Sequence, residues 1–254
     1  MSLGQHLIEL RKRLFRAALG ILLASIIGYL VSDFVLDALR DPVTAIAVSQ
    51  NRVAKLNYTD ITSAFNLKML ISIYVGLILS SPVWLYQIFA FLVPGLTGKE
   101  KRYVFGFFFT AVPLFLAGCA AGWFVLPHIV ALLTSFGSQE DAAIMPAVDY
   151  FNFVLKLVIA VGIAFVMPVF LVLFNFMGVL SARTILKSWR IAVLLICVFT
   201  AIATPAADVM SMFLLAIPMV LLYFMAVGVA FWRDALVRRK ARRIEAELSS
   251  PSAA

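Results

Sequence analysis

Tyr86-Gln87-Ile88-Phe89-Ala90-Phe91-Leu92-Val93-Pro94-Gly95-Leu96-Thr97-Gly98-Lys99-Glu100-Lys101-Arg102 is the stretch that decides the fold. It joins two long apolar runs through a short segment punctuated by Pro and Gly, and its single carboxylate sits among three cations. A charged turn between two runs of span length reads as a polytopic membrane protein that presents this loop to an aqueous face.

Composition agrees. With 63% hydrophobic and 13% charged residues in 254, and a mean hydropathy of +1.03, the chain has more apolar surface than one soluble core can hide. The net charge of +8 would suit nucleic acid in a soluble domain. Here the cations are scattered over several loops and flank apolar runs, which is how spans are oriented against anionic lipid, so nucleic-acid binding is set aside. Cys119 and Cys197 both fall inside apolar runs and read as small apolar residues, not as a disulfide or metal site.

Working outward from the quoted loop, the sequence predicts six spans, at about 14–36, 69–89, 104–126, 151–173, 191–204 and 209–232, in one membrane domain covering 1–232. Pro82, Pro113 and Pro168 lie inside spans, where a missing N–H kinks a helix unless neighbours take up the freed carbonyl. Residues 1–13 read as an amphipathic surface helix feeding the first span. The long apolar run that follows, with no small-residue cleavage site, favours a retained anchor over a signal peptide. In the polar stretch 37–67, Asp41 and Pro42 suit the cap and first turn of a new helix. The fifth run is short, about 14 residues or about 21 Å of helix against about 30 Å of hydrocarbon. The turn Pro205-Ala206-Ala207-Asp208 returns the chain, so the last two spans form a short hairpin. Residues 233–254 are basic and then Ser/Pro/Ala-rich, and read as a surface helix passing into a disordered tail.

Sixteen Lys and Arg flank the spans on one side, in residues 1–16, 95–103, 181–190 and beyond Trp232, against three on the other. That asymmetry puts both termini in the cytoplasm. The fold class is therefore an all-α integral membrane protein of six transmembrane helices.

Motifs for nucleotide hydrolysis, paired-histidine metal binding and serine hydrolysis are missing, so no catalytic residue, cofactor or metal is assigned and the chain reads as a non-enzyme. What remains is a few carboxylates. Glu9 lies beside Arg11, Lys12 and Arg13, and Glu100 beside Lys99, Lys101 and Arg102. Each can be read as balancing its neighbours, which is worth little at a surface. The two can also be read as a receptor for paired guanidinium groups, which carboxylates bind bidentately. Asp208 reads equally as an N-cap or as a functional acid.

Several segments, taken together and in order, resemble the TatC family of twin-arginine protein translocases. They are His6-Leu7-Ile8-Glu9-Leu10-Arg11-Lys12-Arg13-Leu14; Ser81-Pro82-Val83-Trp84-Leu85-Tyr86-Gln87 with Pro94-Gly95-Leu96-Thr97; Phe165-Val166-Met167-Pro168-Val169; and Thr204-Pro205-Ala206-Ala207-Asp208. The resemblance implies a multi-pass subunit of a bacterial cytoplasmic (inner) membrane that recognises twin-arginine signal peptides of folded cargo. It implies further that the subunit nucleates an oligomeric complex with TatA-like and TatB-like single-span partners, driven by the proton-motive force. It places Glu9 and Glu100 at the arginine-contacting carboxylates, Phe91, Pro94 and Arg102 around them, and Arg11 and Arg13 on anionic lipid. Pro42, Phe65, Lys68 and Asp208 match positions that shape the external caps. Val166 departs from the glutamate or glutamine usual there, so partner contact in this chain is expected to rely on packing or on Thr200 or Thr204. The alternative is a small-solute or ion secondary transporter, disfavoured by the scarcity of ionisable groups near the midplane of the spans.

Overall fold

The structure is a computed structural model, and it describes residues 3–49, 55–57, 62–92, 98–135, 144–204 and 209–249. In chain order the elements are α1 Leu3–Ser49, β1 Lys55–Asn57, α2 Ser63–Leu79, α3 Ser81–Leu92, α4 Gly98–Ser135, β2 Ile144–Pro146, α5 Ala147–Phe176, α6 Ala182–Lys187, α7 Trp189–Ala203 and α8 Val209–Ser249. The helical class read from the sequence therefore stands. Among the described residues, four helices are long and apolar enough to cross a membrane as continuous rods; α2 and α3 form a fifth apolar unit bent by 56°, and α7 is a shorter apolar helix. Large apolar side chains such as Leu30, Phe34, Phe124 and Ile202 are exposed on the outside of the bundle, as a lipid-facing surface requires.

The bend falls where Pro82 removes a backbone donor and its ring crowds the preceding turn. The carbonyl of Leu77, at the break, is taken up by a side chain: the indole Nε1–H of Trp84 donates to it at 2.9 Å. Trp84 is itself fixed edge-on against Phe115 of α4, with ring centroids 5.3 Å apart.

Three expectations need correction. The surface helix 1–13 is no separate element, because α1 runs unbroken from Leu3 to Ser49. For the same reason Asp41 and Pro42 do not start a new helix. Leu36 and Leu39, one turn earlier, are buried in the core and hold α1 in place, so losing one backbone bond at Pro42 does not end it. Lastly, the basic segment after Trp232 is helical as expected, but it is a continuation of α8 to Ser249 and not a surface helix of its own; residues 250–254 lie outside those described.

Small residues set the closest helix contacts. On α1 and α2, a Cβ added at Gly28 would sit 2.5 Å from the Ser72 carbonyl oxygen, and one at Gly76 would sit 2.7 Å from the Ser25 backbone. The two helices thus cross backbone to backbone through reciprocal Gly/Ser pairs. Gly118, Gly122 and Gly162 do the same between α4 and α5. The largest core cluster, including Leu67, Ile71, Phe151, Val154 and Leu215, ties α1, α2, α4, α5 and α8 together.

β1 and β2 pair in parallel, with Lys55 opposite Ile144 and Asn57 opposite Pro146, which joins the α1–α2 connection to the α4–α5 connection. Nothing in the local sequence signals this ladder.

Candidate functional site

Along α1, His6, Glu9 and Arg13 are half-buried, whereas Arg11 and Lys12 are exposed. The spacing of three to four residues makes the half-buried side chains one helical face, and that face lies against α3. The His6 ring stacks on Phe91 at 4.5 Å between centroids with 25° between planes. Two turns beyond Arg13, a Cβ at Gly20 would lie 2.8 Å from Val83, so α1 and α3 are also in close approach there. Glu9 is thereby held within one turn of the ring stack that pins α1 to the end of α3.

Arg13 pairs with Glu9 along the helix, Nη2 at 2.6 Å and Nε at 2.9 Å, both donating to Oε1. Among the described residues, no donor reaches the second oxygen, Oε2. Arg13 was expected on lipid; its guanidinium turns to Glu9 instead, because a carboxylate one turn back on the same face outbids solvent for it. One turn before Phe91 on α3, the buried Oε1 of Gln87 also has no partner among the described residues. Its signal in the sequence is a lone amide at the end of an apolar run.

Glu100 and Arg102 lie in the first turns of α4, which starts at Gly98 directly after residues 93–97. Packing of Tyr86 against Phe105 and Phe108, at 6.2 and 5.8 Å between centroids, brings that start of α4 beside the end of α3. The side chains of Glu100 and Arg102, and all of Pro94, lie outside the described residues.

The expected cap residues lie elsewhere. Lys68 of α2 reaches across to Asp33 of α1, Nζ to Oδ1 at 2.7 Å, so it is an interhelix tie as well as a boundary residue. Asp33 was hidden within an apolar run. Phe65 is 60% exposed on the first turn of α2. The Pro42 side chain and Asp208 lie outside the described residues. Val166 is buried among Leu85, Phe89 and Phe115 of α3 and α4, and so offers no open surface to a partner. The hydroxyls of Thr200 and Thr204 donate to carbonyls of their own helix, at Ile196 and Thr200, so neither is a spare donor.

A further polar cluster escaped sequence reasoning. Asp234 of α8 accepts from the Ala182 N–H at 3.0 Å and from the Asn175 amide at 3.1 Å, while Arg233 donates to the Phe176 carbonyl at 3.0 Å and covers its ring. Burial would raise the Asp234 pKa, but the hydrogen bonds from Ala182, Asn175 and Arg233, with the Arg233 charge, together hold it below the ordinary carboxylate value. The cluster lies beyond the apolar part of α8 and latches the ends of α5, α6 and α8.

Chemically, a half-buried carboxylate with one oxygen unpaired among the described residues, beside an aromatic wall, suits a guanidinium: donors on its edge and a stacking face. No group of three His, Cys, Asp or Glu side chains able to hold a metal comes together among the described residues.

Comparison with known proteins follows the same lines. The family model described as Sec-independent protein translocase protein (TatC) matches residues 5–218. A protein of that name from Xylanimonas cellulosilytica is 42% identical over 243 residues, covering 96% of this chain and 87% of its own. One from Rothia mucilaginosa is 38% identical, covering 96% and 84%. A solved structure described as the twin arginine translocase receptor TatC superposes with a TM-score of 0.72 at 33% identity, covering 89% of this chain and 98% of that one.

Proposed function

The chain belongs to the TatC family of Sec-independent protein translocase proteins, and from that premise we propose that it receives the paired arginines of signal peptides on folded cargo at the cytoplasmic face of a bacterial inner membrane. It is a membrane-embedded subunit of a protein-transport complex. The observation that carries the reading is the placement of Glu9. The His6–Phe91 stack holds Glu9 beside the end of α3, with Oε2 unpaired among the described residues, and Tyr86 against Phe105 and Phe108 ties α3 to the early part of α4, the helix that contains Glu100.

In this reading one ligand arginine takes Oε2 of Glu9 and the other pairs with Glu100. Phe91 supplies an apolar wall, and Pro94 and Arg102 shape the connecting turn, while Arg11 faces anionic lipid. The α2–α3 unit and α7 each count as one span, giving six, and sixteen flanking cations against three put both termini in the cytoplasm. Pro42, Phe65, Lys68 and Asp208 then lie on the external side. Partners are single-span helices of the TatA and TatB kind, which dock by packing on exposed apolar faces, since Val166 is buried and Thr200 and Thr204 use their hydroxyls within α7; the driving energy is the proton-motive force.

Site-specific photocrosslinking tests the placement. A photoreactive side chain at Phe91 should capture an Arg-Arg signal peptide and release it to excess unlabelled Arg-Arg peptide but not to its Lys-Lys twin. Capture at Phe65 equal to that at Phe91, or equal competition by the two peptides, contradicts it.

A further inference from the structure

Away from the Glu9 face, α5, α6, α7 and α8 enclose a cavity of about 590 Å³, well within the roughly 300–1,000 Å³ of small-molecule sites. Its floor is buried Ala164, Met219 and Tyr223, and its rim is the exposed apolar side chains Ile163, Met167, Ile191 and Leu195. The rim residues face outward from the bundle, so the cavity opens to the side, toward the hydrocarbon.

Its shape is long. The α7 wall runs from Ser188 to Phe199 and the α5 wall from Ala160 to Phe174, about 17 to 21 Å at helical rise. An extended hydrocarbon chain fits along it.

One end is chemically different. There Thr184 and Ser188 line the cavity, and Arg183 and Lys187, the exposed cations of the same short helix, flank them. Neither is ion-paired among the described residues. Arg190 turns away: with Trp189, over whose ring it lies at 5.7 Å, it lines the opposite face of α7. Ser188 begins α7 without capping it through its side chain, so its hydroxyl is available. An apolar slot ending in two hydroxyls with two cations beside them is complementary to one molecule with a long hydrocarbon tail and an anionic head. Trp and basic residues at this depth are those that sit at a lipid headgroup layer.

We propose that this cavity is a binding site for a single anionic phospholipid, one acyl chain lying between α5 and α7 and the phosphate held by Arg183 and Lys187. The inference adds to the signal-peptide reading and does not depend on it. A lipid seated there fills the side of the hairpin whose first helix, α7, has 15 residues, or about 22 Å, too short for a bilayer core of about 30 Å.

Native mass spectrometry of the full-length protein released from detergent tests this, with phosphatidylglycerol and phosphatidylcholine offered in equal amounts. The expected result is one phosphatidylglycerol retained in preference to phosphatidylcholine. Retention should fall on the order of tenfold or more when Arg183 and Lys187 are together changed to Gln, and should be lost in Ala192→Trp, which fills the slot. The Gln variant changes only exposed side chains, so it decides the question even if Ala192→Trp does not fold. Equal retention of the two lipids, or phosphatidylglycerol retention unchanged in the Gln variant, overturns the proposal. So does displacement of the lipid by an apolar single-span peptide whose binding Ala192→Trp abolishes and the Gln variant leaves intact, because the slot would then belong to a helix. Arg-Arg peptide binding should be unaffected in the Gln variant, which separates failure of this proposal from failure of the signal-peptide reading.

Discussion

At the scale of single residues, Arg13 is the side chain with which a ligand arginine has to contend. It occupies Oε1 of Glu9 in an i,i+4 pair, a contact worth about 0.5 kcal/mol. Removing it exposes both carboxylate oxygens and relieves like-charge repulsion. Arg13→Ala is expected to tighten Arg-Arg peptide binding about twofold, read by titration in lipid nanodiscs; weaker binding would show that Arg13 supports the site. Asp234 matters for stability. Truncation to Ala leaves the Ala182 N–H and one of the two Asn175 amide hydrogens without an acceptor, the other keeping the Leu180 carbonyl, and should cost about 1–3 kcal/mol, seen as a lowered melting temperature in detergent. An unchanged melting temperature would mean that water replaces the carboxylate. Both groups were hard to read in advance. Glu9 stood out because it sits in a charged cluster, but Asp234 draws its meaning from partners more than fifty residues away.

At the scale of elements, the α2–α3 bend links a local signal to a tertiary one. Pro82 inside an apolar run predicts a kink, and the kink is there; that Trp84 takes up the Leu77 carbonyl at the break could not be read, because it depends on side-chain direction there. Pro82→Ala restores the donor. Spin labels at exposed positions 65 and 88 should then move apart by about 4 Å as the legs straighten, measured by pulsed electron resonance. An unchanged distance would show that packing, and not the proline, holds the bend. The same contrast explains the continuation of α1 through Pro42 and the β1–β2 ladder. Apolar periodicity is local and legible, whereas helix continuation against a proline and pairing across ninety residues are decided by contacts that leave no local pattern.

At the scale of the whole molecule, the order of apolar runs was legible because each must be long and nearly charge-free to sit in lipid. Side-chain contacts between helices were not, because most faces of such a bundle are apolar and periodicity no longer separates inside from outside. Orientation can be measured directly. A single thiol at Ser249→Cys should react with an impermeant maleimide only after cells are opened, and labelling in intact cells would place the carboxyl terminus outside. The central claim is that Glu9 and Glu100 form a receptor for paired arginines, and its most direct test is binding of an Arg-Arg signal peptide and its Lys-Lys twin to the protein in lipid, with Glu9→Ala, Glu100→Ala and the double variant. Selective Arg-Arg binding, weakened by about 1–3 kcal/mol for each glutamate removed, is the predicted result. Equal binding of the two peptides, indifferent to both glutamates, would contradict it.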